Sequence, residues 1–202
     1  MKNIRFLMVI GLLGMAVTTS AHVISTNSFL SDTEGTWSGL RASYLPISFK
    51  GDGGVDVDIT GFQLGYVKSF AVSTKTPLYI ETSINVSYME CYAMDIYSIN
   101  FPANFGYKYA FNDIVNIFPY VGLIFRGNLF GNYEGAGDKI SIFDDRLEDF
   151  GIKAKRFQLG WQVGATASFY QFVVGVSYGT DFIDFIEGGK FNTPAISIGY
   201  NF

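Results

Sequence analysis

The chain has 202 residues, a formal net charge of −4, 17% aromatic but only 16% charged residues, 23 glycines, one cysteine and one histidine. An acidic balance excludes a nucleic-acid partner held by its phosphates, the lone Cys91 excludes an intramolecular disulfide framework, and a charged fraction well below the roughly 25% of an ordinary soluble domain sets the chain apart from that class. What remains is aromatic, glycine-rich and sparsely charged. At the start of the chain, Lys2 and Arg5 precede an apolar run of twelve residues, Phe6 to Val17, and Thr19-Ser20-Ala21 supplies small residues for cleavage. Because a membrane-spanning helix needs about 20 residues, the run reads as a signal peptide over residues 1–21. The exported chain would begin at His22, with a net charge of about −6 after loss of the two bases. Residues 22–35 then form a periplasmic lead, and residues 36–202 a single domain.

Eight segments of that domain alternate with a period of two, which in a strand sends successive side chains to opposite faces. The first, about Trp37 to Phe49, sets Leu40, Ala42 and Tyr44 against Arg41 and Ser43, with its phase blurred near Pro46. In the second, Phe62, Leu64, Tyr66 and Phe70 oppose Gly61, Gln63, Gly65 and Ser69. The third places Leu78, Ile80, Thr82, Ile84, Val86 and Tyr88 opposite Glu81, Ser83, Asn85 and Ser87. The fourth runs from Tyr97 to Phe111, with Lys108 on its polar side. The fifth alternates Val121, Leu123, Phe125 and Leu129 with Gly122, Arg126 and Asn128. The sixth and seventh alternate around Phe157, Leu159, Trp161 and Val163, and around Val174, Val176 and Tyr178. The eighth sends Ile196, Ile198, Tyr200 and Phe202 to one face and Ser197, Gly199 and Asn201 to the other.

Such an ending, closing on phenylalanine, resembles the assembly signal of bacterial outer-membrane β-barrels, so Ile196, Ile198, Tyr200 and Phe202 are the residues expected to engage the barrel-assembly machinery. Connections after the second, fourth and sixth segments are short, Ala71 to Thr76, Asn112 to Asn116 and Tyr170-Gln171, whereas Gly131 to Lys153 and Thr180 to Asn192 are long. Short periplasmic turns facing longer external loops are the asymmetry of a transmembrane barrel. The expected fold is all-β: an eight-stranded antiparallel up-and-down transmembrane β-barrel in the bacterial outer membrane, in contact with its lipid. Side chains nearly fill so narrow a barrel. Pro102 removes one ladder hydrogen bond from the fourth segment and predicts a bulge there.

Tyr97-Ser98-Ile99-Asn100-Phe101-Pro102, continuing to Gly106-Tyr107-Lys108-Tyr109 and then Pro119-Tyr120-Val121-Gly122, resembles the PorT-like, porin-like small outer-membrane β-barrels of Bacteroidota. The resemblance covers essentially the whole chain, although Gly122 follows the Pro-Tyr pair more closely than that family's pattern has it. It implies a small membrane barrel, for some members a role in secretion or envelope maintenance, and no catalytic residues.

Chemistry is sparse. Outer-membrane barrels acting as acyltransferases, deacylases, phospholipases or aspartate-type proteases generally need a histidine as base or orienting group, and this chain's single histidine is His22, at the cleavage point. No enzyme activity and no cofactor are expected. Asp138, Asp144, Asp145, Glu148 and Asp149 follow no calcium-loop pattern and have Lys139, Arg146, Lys153, Lys155 and Arg156 among them, which reads as a mixed-charge surface rather than a metal site. Asp56 and Asp58 read the same way, and Gly188-Gly189-Lys190 as a turn. Glu81, Lys108 and Arg126 all point inward in these phases, and form a candidate ion-pair network of the lumen.

Two architectures and two functional classes follow. Gly35-Thr36-Trp37 resembles the Gly-x-Trp start of lipocalins, so a soluble lipid-carrying barrel is the competing architecture. Within the membrane reading, the chain is a non-enzymatic envelope protein whose external loops contact a partner or a surface, or else a small channel or secretion-machinery component. Phe182, Ile183, Phe185 and Ile186 make the last loop unusually apolar, as a contact site or strands rising above the membrane would require.

Overall fold

The computed structural model describes residues 36–51, 55–73, 75–91, 94–111, 114–135, 138–144, 154–186 and 188–202. The expected signal peptide and periplasmic lead, and most of the acidic loop, lie outside the described residues. Ten strands follow in order: β1 (Ser38–Gly51), β2 (Val55–Ala71), β3 (Leu78–Cys91), β4 (Met94–Tyr107), β5 (Tyr109–Ala110), β6 (Val115–Gly135), β7 (Asp138–Ser141), β8 (Phe157–Phe169), β9 (Phe172–Asp181) and β10 (Lys190–Asn201). Eight of them form the wall, each paired antiparallel with its chain neighbours, and β1 with β10 closes it. The short β5 and β7 are extra pairings along β6. This is a closed up-and-down barrel, and closure pairs the backbone groups that an open sheet edge would leave bare.

Ile196, Ile198 and Tyr200 face outward, 58%, 64% and 46% exposed. A soluble barrel would pack them inside, so the lipocalin-like alternative falls here. Outward side chains form one aromatic row in register: Tyr44 opposite Phe62, Phe62 opposite Tyr88, Tyr88 opposite Tyr97, Tyr97 opposite Phe130. Within it the rings of Tyr44 and Phe62 lie 5.5 Å apart and those of Tyr88 and Tyr97 lie 4.9 Å apart. Such girdles mark a membrane surface. On the periplasmic side of the row the outward residues of β4 are Ile99, Phe101, Ala103, Phe105 and Tyr107, and the stretch from Tyr97 to Tyr107 matches the roughly 9–11 residues a strand needs to cross.

On the other side of the row the polarity turns over. Outward positions become Lys50, Asp56, Asp58, Thr60, Glu90 and Asp95, while Leu45, Ile47, Ile59, Met89 and Ile96 turn inward and are buried. With Ile142, Phe185 and Phe191 they build an apolar core inside the barrel mouth. The lumen is therefore not polar throughout, as a simple alternation rule would have it. The strands outrun the bilayer, and above it water lies outside, so the apolar faces turn in.

Prolines interrupt the ladders at two places. Opposite Pro102 the β3–β4 pairing stops after Thr82↔Ala103 and resumes at Asn85↔Asn100 with its register unchanged. No residue is inserted, so the bulge expected at Pro102 is absent; the register shift in β4 lies at Tyr97/Ser98, opposite β6. A missing N–H deletes a bond without adding a residue, and only an added residue makes a bulge. The second interruption is in the closing seam. β1 and β10 pair as far as Tyr44↔Ile196 and again from Ser48↔Asn192, a common register that sets Pro46 opposite Pro194.

Candidate functional site in the lumen

Inward-facing side chains fall into layers. At the periplasmic mouth Trp37, just before β1, packs against Tyr79 and Phe118 with ring centroids 5.1 Å away in both cases. Lys108, between β4 and β5, lies with Nζ 5.1 Å from the Trp37 ring and 5.8 Å from that of Tyr79. Burial there lowers its pKa from the ordinary lysine value. The mouth encloses about 410 Å³, bordered by Trp37, Arg41, Lys108, Phe118 and Phe202.

One layer further in, the Trp37 indole Nε1 donates to Glu81 Oε2 at 2.9 Å, and Asn104 Nδ2 donates to Glu81 Oε1 at 3.5 Å. Gln162 Nε2 in turn donates to Asn104 Oδ1. Arg41 crosses the closing seam, its Nη2 donating to Asn201 Oδ1 at 2.8 Å. In mid-barrel Asn100 Nδ2 donates to Gln63 Oε1 and to Ser87 Oγ, both at 3.0 Å. Above these, Arg126 pairs with Asp181 at 3.1 Å, both buried, and reaches Thr193 Oγ1 at 3.4 Å. Its guanidinium lies 5.6 Å from the Phe191 ring, where the polar layers meet the apolar core.

The residues that alternation points inward, Glu81, Lys108 and Arg126, thus have different neighbours, although Glu81 and Lys108 both touch Trp37. Arg126 is matched by Asp181, which lies within the long connection expected from Thr180 to Asn192 but belongs to β9, inward with Gly175, Ser177 and Gly179. Glu81 sits in the layer of Arg41, and Lys108 lies over the aromatic rings of the mouth. Buried charges need partners, and the Arg41 of β1 was a legible signal, being the one cation inward in its segment. Between the layers remains a cavity of about 90 Å³, bordered by both polar groups and Leu45, Ile47, Met89, Ile124 and Ala195.

At the outer mouth, the apolar last loop turns in instead of out: Phe185 is 1% exposed, and its ring lies 4.8 Å from that of Phe191. Ile186 packs against the same core, while Phe182 stays exposed. A contact surface built on all four apolar residues of this loop is ruled out. Phe143 packs against the same core, its ring 6.5 Å from that of Phe185 and 4.4 Å from the Arg156 guanidinium. Among the described residues no group of three or more His, Cys, Asp or Glu could hold a metal ion.

Solved structures share this architecture. The chain is similar to Neisserial surface protein A at 12% identity and a TM-score of 0.51, over 85% of this chain and 100% of that one. It is similar also to Ail, the attachment invasion locus protein of Yersinia pestis, in complex with the heparin analogue sucrose octasulfate, at 18% identity and a TM-score of 0.49, over 83% and 99%. The outer membrane enzyme PagL aligns at 14% identity and a TM-score of 0.46, over 78% and 97%. At such identities the likeness to Neisserial surface protein A establishes the fold alone. The fold is that of bacterial outer-membrane barrels, as the alternation and the ending of β10 led one to expect. No protein-family model matches the chain, and no curated protein matches it.

Proposed function

We propose that the chain is a non-enzymatic outer-membrane protein that uses its barrel as an anchor and presents the part above the membrane as a rigid contact surface. The observation that carries this reading is the apolar core within the outer mouth, with Phe185 and Phe191 at its centre. A core of this kind stiffens strands that stand in water and leaves their outer wall, with Asp56, Asp58, Glu90 and Asp95, to meet a partner. It also stoppers the lumen, which weighs against the channel reading. The absence of any histidine after His22 supports a protein without hydrolase or transferase chemistry. The PorT-like resemblance belongs to the same proposal: its two stretches lie side by side, with Gly106 opposite Tyr120 and Asn104 opposite Gly122. A Cβ at Gly122 would strike Asn104, so glycine at that position follows from the close fit of these two strands. A role in secretion or envelope maintenance, engagement of the assembly machinery by Ile196, Ile198, Tyr200 and Phe202, and an envelope partner for the outer wall are its finer parts.

Two measurements test it. In planar bilayers the purified barrel is expected to show no stepwise conductance; discrete openings would favour the channel. Cross-linking in intact cells should capture an envelope or surface partner with the native chain, and capture should fall several-fold for D56N/D58N/E90Q/D95N. Capture that ignores those four charges would move the contact surface elsewhere.

A further inference from the structure

Among the described residues the closing seam carries the longest gap in any ladder of the wall. In an antiparallel ladder, opposed residues alternate between pairs that exchange two N–H···O bonds and pairs that exchange none. An interruption of three pairs, Leu45 to Ile47 against Thr193 to Ala195, centred on two prolines, is what results when the proline pair occupies a position that should exchange both bonds. Neither proline has an N–H, so both bonds are missing and each carbonyl loses its ladder donor. At Pro102 the opposing residue is Ser83, and a single bond is lost. Pro46 keeps its other neighbour Thr60, and Pro194 keeps Tyr178, so the two strands are held from behind and open only toward each other.

Position gives this gap a use. Pro46 lies two residues beyond Tyr44, at the outer aromatic row, and faces out. Directly behind it Leu45, Ile47, Thr193 and Ala195 border the 90 Å³ cavity of the lumen. The apolar core of Phe185 and Phe191 lies on the outer side of that cavity, and Arg41 and Glu81 border it toward the layer of Trp37. Its wall is part apolar, and Asn100 Oδ1 is buried there without a hydrogen-bond partner.

We propose that Pro46 and Pro194 frame a lateral portal from the water just above the outer aromatic row into the lumen cavity, admitting small uncharged molecules with an apolar body and a hydrogen-bond donor. The apolar body meets Leu45, Ile47 and Ala195, and the donor meets Asn100 Oδ1. A charged molecule would have to shed its water to enter this part-apolar cavity, at far greater cost, and is refused.

The test places a reporter thiol behind the seam. Ala195→Cys in a Cys91→Ala background is reconstituted in phosphatidylcholine vesicles, with folding verified by heat-modifiable gel migration. It is then treated with unsubstituted maleimide, uncharged and carrying an imide N–H, or with a negatively charged sulfonated methanethiosulfonate. Maleimide is expected to label at least tenfold faster than its control rate in P46V/P194V, where two restored N–H groups close the ladder, while the charged reagent stays slow in both. Should Ala195→Cys fail to fold, Ser197→Cys, on the same cavity and two residues along, carries the same measurement. A maleimide rate unchanged by P46V/P194V, or equal entry of the charged reagent, would overturn the portal.

Discussion

Between Tyr97 and Tyr107, β4 turns Ile99, Phe101, Ala103 and Phe105 outward and Asn100 and Asn104 inward; from Met94 to Ile96, the same strand turns Asp95 outward and two apolar side chains inward. One pleat serves two solvents. In the first stretch the outside is hydrocarbon, and polar groups must satisfy each other across the lumen, as Asn104 does with Glu81 and Gln162. In the second the outside is water, and the hydrophobic effect drives Met94 and Ile96 to the axis. The backbone geometry is common to both, so the medium outside decides what the inside must be.

Substitutions that act differently on the two stretches break or sharpen this comparison. The largest effect is expected at their junction: Arg126→Met leaves Asp181 buried without its cation and should remove about 3–5 kcal/mol of stability in urea titrations of the detergent-solubilised barrel. Adding Asp181→Asn should return part of that loss, because the stranded charge is then gone. In the outer stretch, Phe185→Ala opens a void in the core and should cost about 3 kcal/mol. Limited proteolysis should then cut the outer connections first, while heat-modifiable migration of the membrane stretch survives. In the membrane stretch, Ile198→Lys puts an ammonium into hydrocarbon and should cost about 2–3 kcal/mol in the same titration. The matching change above the aromatic row, Thr60→Lys, also faces outward but meets water and Glu90, and should stay within about 0.5 kcal/mol. Equal losses at Ile198 and Thr60 would erase the boundary.

The membrane stretch was legible because its rule is uniform. The sixth and eighth segments alternate without a break, the third and seventh break only at their ends, at Tyr79, Met89 and Val173, and each side chain assigned outward in β10 is outward. The outer stretch was hidden by the same rule, since a period of two says which residues share a face and not which face is wet. Its signal was present all the same. Tyr44-Leu45, Tyr88-Met89 and Ile96-Tyr97 are adjacent apolar pairs in otherwise alternating segments, and each marks the level where the apolar face changes sides. The blurred phase near Pro46 was this crossing. Partner choice in the lumen was less accessible: inward direction follows from parity, but height does not, because it depends on the stagger between strands. Parity groups Glu81, Lys108 and Arg126, whereas the partners in the lumen are Asp181 for Arg126 and the Trp37 ring for Lys108, and β9 carries Asp181 inward because it runs further than its apolar residues suggest.

Asn201 has a second meaning for how this protein comes into being. It grips Arg41 from 160 positions away, so the grip cannot exist until every strand between them has been laid down. Tyr200 next to it, turned the opposite way, touches Phe172 at 5.6 Å and greets the lipid. The tail that finishes the circle thus carries on alternate residues the clasp for the inside and the paddle for the outside, and the order of manufacture, with the first strand waiting for the last, is written into a single hydrogen bond.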